Sequence, residues 1–282
     1  MADSAPALAQ EAAAPQAPET SGPEVLYEVS EHIATLTLNR PERMNTISGP
    51  MLNQLTELLL KADRDPDVRC IILTGTGRAF CAGLNLGGAT KGSTGLEGAS
   101  TSTNLDLRHT PPTVLFNLDT PTICALNGSA AGYGMDTALG CDIRVMADGA
   151  KLAAAFTKRG IVPESGGTWL LPRLIGWSKA AEIIFTGRTL SAAQCVELGL
   201  ASQAVPEAEV AATARALALE IAANAPLAVQ ASKRMMRMGL SEDFDEHVHH
   251  VFLQLLPLLK SQDAMEGMKA FMEKRPPQFE GK

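Results

Sequence analysis

Three glycine-bearing segments carry the residue types that can do chemistry. Arg78-Ala79-Phe80-Cys81-Ala82-Gly83-Leu84-Asn85-Leu86 and Ala125-Leu126-Asn127-Gly128-Ser129-Ala130-Ala131-Gly132-Tyr133-Gly134-Met135-Asp136 each follow an apolar run. Glycine lets the chain bend sharply there and uncovers N–H groups that a side chain would shield. Two such bends side by side can aim two amide donors at one oxygen, which stabilises an enolate or another oxyanion. The third segment, Gly160-Ile161-Val162-Pro163-Glu164-Ser165-Gly166-Gly167-Thr168, sets a carboxylate just ahead of a helix. Glu164 or Ser165 there either caps that helix, or Glu164 stands over a cleft as a proton carrier. Asp136 lies in so apolar a stretch that it needs a partner or a purpose. An ion pair with Arg144 or Arg159 is the structural alternative to a catalytic role.

Other chemistries fit less well. Gly75-Thr76-Gly77-Arg78 follows a strand but lacks the third glycine of a dinucleotide-binding turn, and the 128–134 spacing is also wrong. Gly128-Ser129-Ala130-Ala131-Gly132 does not centre its serine as a nucleophile elbow must. His247, His249 and His250 cluster near the start of the last helix, but nothing else in the chain points to a metal there, and a solvated or subunit-facing helix is the simpler reading. Cys70, Cys81, Cys124, Cys141 and Cys195 are odd in number and show no C-x-x-C spacing, as expected of reduced, buried thiols in a cytoplasmic protein.

Positioning those loops falls to alternating strands and helices. Val25, Tyr27 and Val29, then Ile33, Leu36 and Leu38, alternate as two strands around a Glu31-His32 turn. Residues 51–62 place Leu52, Leu55, Leu58 and Leu59 on one helical face. Residues 70–73 and 122–126 are continuous apolar runs, the mark of strands covered on both faces. Residues 142–146 and 151–156 read as further strands. From Gly167 onward the pattern is helical, over 168–175, 178–185, 191–197, 206–224, 225–238 and 244–273. Pro206 suits a first helical position, and Pro257 should bend or split the last helix. Residues 87–110, rich in Gly, Ser and Thr, form a long connection expected to be mobile.

The 282-residue chain is 45% hydrophobic but only 4% aromatic, so its core is aliphatic, and its net charge of −7 argues against nucleic acid or an anionic membrane as a partner. No apolar run is long enough to span a membrane. Residues 1–23 have neither the basic start of a secretory signal nor the arginines of a mitochondrial presequence, and read as a disordered Ala/Pro-rich tail. The expected organisation is a strand–turn–helix core over 24–205 and a helical region over 206–282.

At these residues the chain resembles the crotonase superfamily, the enoyl-CoA hydratase/isomerase family, over about residues 24–275. The motifs that carry the likeness are Leu38-Asn39-Arg40-Pro41, Ala79-Phe80-Cys81-Ala82-Gly83, Ala125-Leu126-Asn127-Gly128, Pro163-Glu164-Ser165-Gly166-Gly167, Leu171-Pro172-Arg173-Leu174-Ile175-Gly176, and Thr186-Gly187-Arg188 onward to Ala193. The resemblance implies an α/β fold, a crotonase-like spiral of ββα turns with a C-terminal helical trimerisation region, and hence a homotrimer or a dimer of trimers. It implies an acyl-CoA thioester as substrate, with no metal or nicotinamide, coenzyme A entering only as part of the substrate. It also implies that the backbone N–H groups of Leu84 and Tyr133 grip the thioester oxygen, with Ala82, Gly83 and Gly132 shaping the site. Arg43 and either Lys233 or Arg234 would meet the phosphates. Family hydratases use two glutamates to hold a water. Here the first falls at Asp136 and the second at Phe156, while Glu164 stands where isomerase branches place a single base. The expected activity is therefore double-bond migration with Glu164 as base. The alternatives are hydration by Asp136 with Glu164, thioester or β-diketone hydrolysis, and a binding paralogue without turnover.

Overall fold

The computed structural model describes residues 22–85 and 110–282. The expected tail lies outside them except for Gly22 and Pro23, as does the 87–110 connection except for Thr110.

The chain opens with β1 (Val25–Ser30) and β2 (Ile33–Leu38), an antiparallel hairpin in which Ser30 faces Ile33. Its two-residue turn takes both Glu31 and His32 into the left-handed region, the conformation whose twist matches a tight hairpin. Then follow α1 (Gly49–Arg64), β3 (Cys70–Gly75), β4 (Ala79–Cys81), α2 (Pro111–Asn117), β5 (Thr122–Leu126), β6 (Ser129–Ala131) and α3 (Tyr133–Gly140). After these come β7 (Ile143–Ala147), β8 (Lys151–Ala153), α4 (Gly167–Ile175), α5 (Trp177–Thr186), β9 (Thr189–Ser191), α6 (Ala192–Glu197) and β10 (Gln203–Val205). The chain closes with α7 (Val210–Ala222), α8 (Pro226–Met238), α9 (Phe244–Leu258) and α10 (Gln262–Glu273).

Among the described residues, ten strands form two sheets, ordered β1-β2-β3-β5-β7-β10 and β4-β6-β8-β9. Each turn of the chain lays one strand in the large sheet and the next in the small one, so β3/β4, β5/β6 and β7/β8 step side by side. Parallel pairing with this stepping makes the spiral of ββα turns. The middle strands of the large sheet are buried on both faces, through Ile71, Ile72 and Leu73 in β3 and Ile123, Cys124 and Ala125 in β5. Helix α1 covers this sheet with Met51, Leu52, Leu55 and Leu59, and α7 covers it with Val210, Ala214, Ala218 and Ala222, a small-residue stripe that lets helix and sheet approach closely. All five cysteines are free and buried.

Several boundaries differ from the sequence pattern. The three-residue strands β4 and β6 sit inside the glycine segments, where no alternation marks them. Residues 154–156 lie beyond β8. Pro206 is not the first residue of α7 but precedes a short 3₁₀ turn, Glu207–Glu209, that leads into it. The expected 244–273 helix is two helices: Pro257 sits in the last turn of α9, and Ser261 restarts the chain by accepting from the Ala264 amide. Asp263 is buried and accepts from the Glu280 and Gly281 amides, so the C-terminal segment folds back onto α10.

Candidate functional site

The bend after β4 is held in place by the segment ahead of α1. Ile47 donates to the Gly83 carbonyl, Asn85 donates back to Ile47, and the Ala82 amide donates to Met44. This parallel bridge between Ile47 and Leu84 uses both backbone groups of Ile47 on the flanking residues, so the Leu84 N–H points to the opposite side. Gly83 has a positive φ of 102°, and a Cβ there would lie 2.9 Å from the Ala131 carbonyl oxygen, so only glycine lets the two bends touch.

The second bend comes at Gly132, whose φ of 52° turns β6 into α3. No side chain caps α3, and Tyr133 is its first residue, so the Tyr133 N–H is one of the amides a helix start leaves unpaired. Among the described residues neither it nor the Leu84 N–H donates to a backbone carbonyl. Helix α3 fits beneath β4 because Gly134 lacks a side chain: a Cβ there would sit 2.3 Å from the Cys81 carbonyl oxygen.

Two asparagines pin these bends, a role sequence reasoning missed. Asn45, fully buried, donates to the Thr76 and Ala79 carbonyls at 2.9 and 2.8 Å and accepts from the Arg40 amide at 2.8 Å. Asn127 accepts from the Gly75 amide at 3.1 Å and donates to the Gly77 carbonyl at 2.8 Å. The available signal was the residue type alone: asparagine tolerates the left-handed backbone that Asn45 adopts beside a turn.

A cavity of about 70 Å³ opens where the bends meet, lined by Gly83, Leu84, Gly132, Tyr133, Phe156 and Glu164 among others. Both Glu164 carboxylate oxygens are buried and, among the described residues, neither makes a hydrogen bond of normal geometry. Burial raises Glu164 above its ordinary value, and its own amide and the Ser165 hydroxyl, though close, only partly oppose this. Such a carboxylate is poised to take and return a proton. Glu164 does not cap α4: the residue at that position is Gly166, which has no side chain with which to do so.

Asp136 is displaced from the cavity wall. It faces a separate void of about 10 Å³, room for about one water, together with Met135, Leu139, Phe156, Pro163, Leu171 and Ile184. Burial, then the charge of Glu164, push its carboxyl up to about 7, although the Gly167 and Ser165 amides donate to it. Its Oδ2 has no partner among the described residues. The anticipated ion pair with Arg144 or Arg159 does not form. Arg144 is buried and donates to the Leu200, Ala138 and Cys141 carbonyls, tying β7 to the end of α3. Arg159 donates to the Ala155 carbonyl and lies on the cavity wall.

The cations named for the phosphates, Lys233, Arg234 and Arg43, lie away from the cavity wall. Lys233 bonds to the Thr120 carbonyl and pairs with Asp142 at 2.7 Å, while Arg234 bonds to Asp119 and Gln254. Both hold α8 against the body. Arg43 is exposed in a 3₁₀ turn, Pro41–Arg43, and is not part of the cavity wall. His247 and His250 both contact the Glu242 carboxylate, at 3.2 and 3.0 Å.

Comparison with known proteins gives a consistent answer. A family model described as enoyl-CoA hydratase/isomerase matches residues 28–282. The chain is similar to the 1,2-epoxyphenylacetyl-CoA isomerase of Escherichia coli K12, 38% identical over 261 residues, covering 92% of this chain and 98% of that protein. It is also similar to the (E)-benzylidenesuccinyl-CoA hydratase of Thauera aromatica, 35% identical, covering 91% and 99%. Among solved structures, an enoyl-CoA hydratase from Bacillus anthracis superposes with a TM-score of 0.85 at 32% identity, covering 92% of this chain and all of that one.

Proposed function

Because the chain belongs to the enoyl-CoA hydratase/isomerase family, we propose that it moves a double bond in an acyl-CoA thioester from C3 to C2. The observation that carries this reading is that, among the described residues, Glu164 is the one carboxylate on the cavity wall, while Asp136 is set behind Phe156.

The thioester oxygen accepts from the Leu84 and Tyr133 N–H groups. Glu164 removes a proton from C2, and the electrons of that C–H bond form the enolate, whose negative charge collects on the oxygen between the two donors. A donor so placed is worth about 10²–10³ in turnover. The enolate then collapses toward a C2–C3 double bond, the C3–C4 double bond opens, and C4 takes the proton back from Glu164. One base suffices because the proton leaves and returns on the same face. The process is redox-neutral, so coenzyme A serves as the handle and no redox partner enters. Hydration asks for more: a water held and deprotonated while a proton is delivered to the neighbouring carbon. Phe156 fills the place where a second acid would hold that water.

The exposed apolar side chains of α9 and α10, Phe244, Phe252 and Phe271 among them, support assembly with further copies of this chain. Light scattering checks that part, with a mass above one chain expected.

Purified protein given 3-enoyl-CoA and, separately, 2-enoyl-CoA tests the reaction. Conversion of the first to the conjugated isomer is expected. Hydration of the second without isomerisation of the first overturns the proposal.

A further inference from the structure

Phe156 is common to the walls of both the main cavity and the void that Asp136 faces. Its side chain is buried, 4% exposed, and reaches across the turn: a Cβ built on Gly132 would lie 3.9 Å from the ring atom Cε1. The ring is therefore a partition. On one side lie Gly83, Leu84, Gly132 and Glu164, the groups that handle the thioester in the proposed reaction. On the other lies a mostly apolar chamber, to which α3 contributes Met135 and Leu139, α4 Leu171 and α5 Ile184. Pro163 closes it from the segment ahead of α4. That chamber is all but filled, with about 10 Å³ left empty.

We propose that Phe156 sets the depth of the acyl pocket, stopping the chain of the bound thioester at its ring and restricting this protein to short acyl groups. This rests on the thioester reading above and adds the class of acyl group. The chemistry of the walls supports it. Beyond the ring the lining is aliphatic, so removing the ring joins the two spaces into a longer apolar channel rather than a polar one. Asp136 is the exception within the chamber, so a longer chain admitted there would lie beside it.

The test is binding, which needs no turnover. Saturated acyl-CoA thioesters of increasing chain length, which lack the reacting double bond, are titrated against wild type, Phe156→Leu and Phe156→Ala by calorimetry. Each newly buried methylene strengthens binding about four-fold. For wild type, affinity should stop rising after a short chain. For Phe156→Ala the rise should continue for at least two further methylenes, an advantage of about ten-fold or more for the longer thioester relative to wild type. Phe156→Leu keeps most of the packing volume and should fall between, so it answers the question if the alanine variant does not fold. Superimposable length profiles for wild type and the leucine variant overturn the partition, as does a wild-type profile that keeps rising to long chains. Absence of binding by every thioester would instead sink the thioester reading itself, so the two failures are distinct.

Discussion

Replacing Asp136 by Asn should make the protein more stable at alkaline pH and leave it nearly unchanged in acid. The carboxyl titrates at about 7 in the fold against 3.8 as its ordinary value. A raised pKa of this kind means that the folded state binds the proton more tightly than the unfolded chain. Wild type therefore loses stability as pH climbs from about 4 through 7, and the loss levels off above that. Three pH units at about 1.4 kcal/mol each come to roughly 4 kcal/mol. Asparagine has the same shape and carries no proton to lose. Its carbonyl can still accept from the Ser165 and Gly167 amides, and its other end faces the void where Oδ2 already lacks a partner. Urea unfolding of both proteins between pH 4 and 8 measures the difference in unfolding free energy, in which every other titrating group cancels to first order. The difference should swing by about 3–4 kcal/mol in favour of the variant across that range. A difference that is flat within about 1 kcal/mol would show that Asp136 is ionised throughout, and the account of its burial would be wrong.

Further outcomes follow from the loop geometry. Tyr133 is the first residue of α3, a place where proline is tolerated, so Tyr133→Pro deletes one amide donor with little disturbance of the helix. Against Tyr133→Ala, which keeps the amide, turnover of 3-enoyl-CoA should fall by about 10²–10³; equal rates in the two variants would remove that amide from the mechanism. Asn45→Ala should cost about 2–4 kcal/mol in urea unfolding, because one buried and two part-buried hydrogen bonds to the backbone are lost and alanine must hold a positive φ. A loss under 1 kcal/mol would mean the bend is held by other contacts.

Much of the site was legible because local chemistry writes it into the sequence. Glycines at 83, 132 and 134 are demanded by a positive φ or by a backbone passing within touching distance, and such demands show in the residue type alone. Glu164 follows a proline and precedes two glycines, which marked it as a carboxylate placed by a turn, and it does lie on the cavity wall. The hairpin at Glu31-His32 and the buried strands β3 and β5 were equally plain from alternation and apolar runs. What the sequence hid was long-range. Lys233 and Asp142, or Arg234 and Asp119, lie about a hundred residues apart, and nothing local announces that each cation is already spoken for. The position of Asp136 behind Phe156 is likewise a product of packing among α3, α4 and α5. Strands β4 and β6 are too short to display a period.

The central claim is that one carboxylate, Glu164, moves the proton. Glu164→Gln keeps the size of the side chain and cannot accept that proton, and neither oxygen gives up a normal hydrogen bond in the exchange. Single-turnover conversion of 3-enoyl-CoA, measured beside the affinity for a saturated acyl-CoA, separates chemistry from binding. The rate should fall by about 10²-fold or more with affinity held within a few-fold, as expected for loss of a positioned proton carrier. Turnover at the wild-type rate would contradict the account.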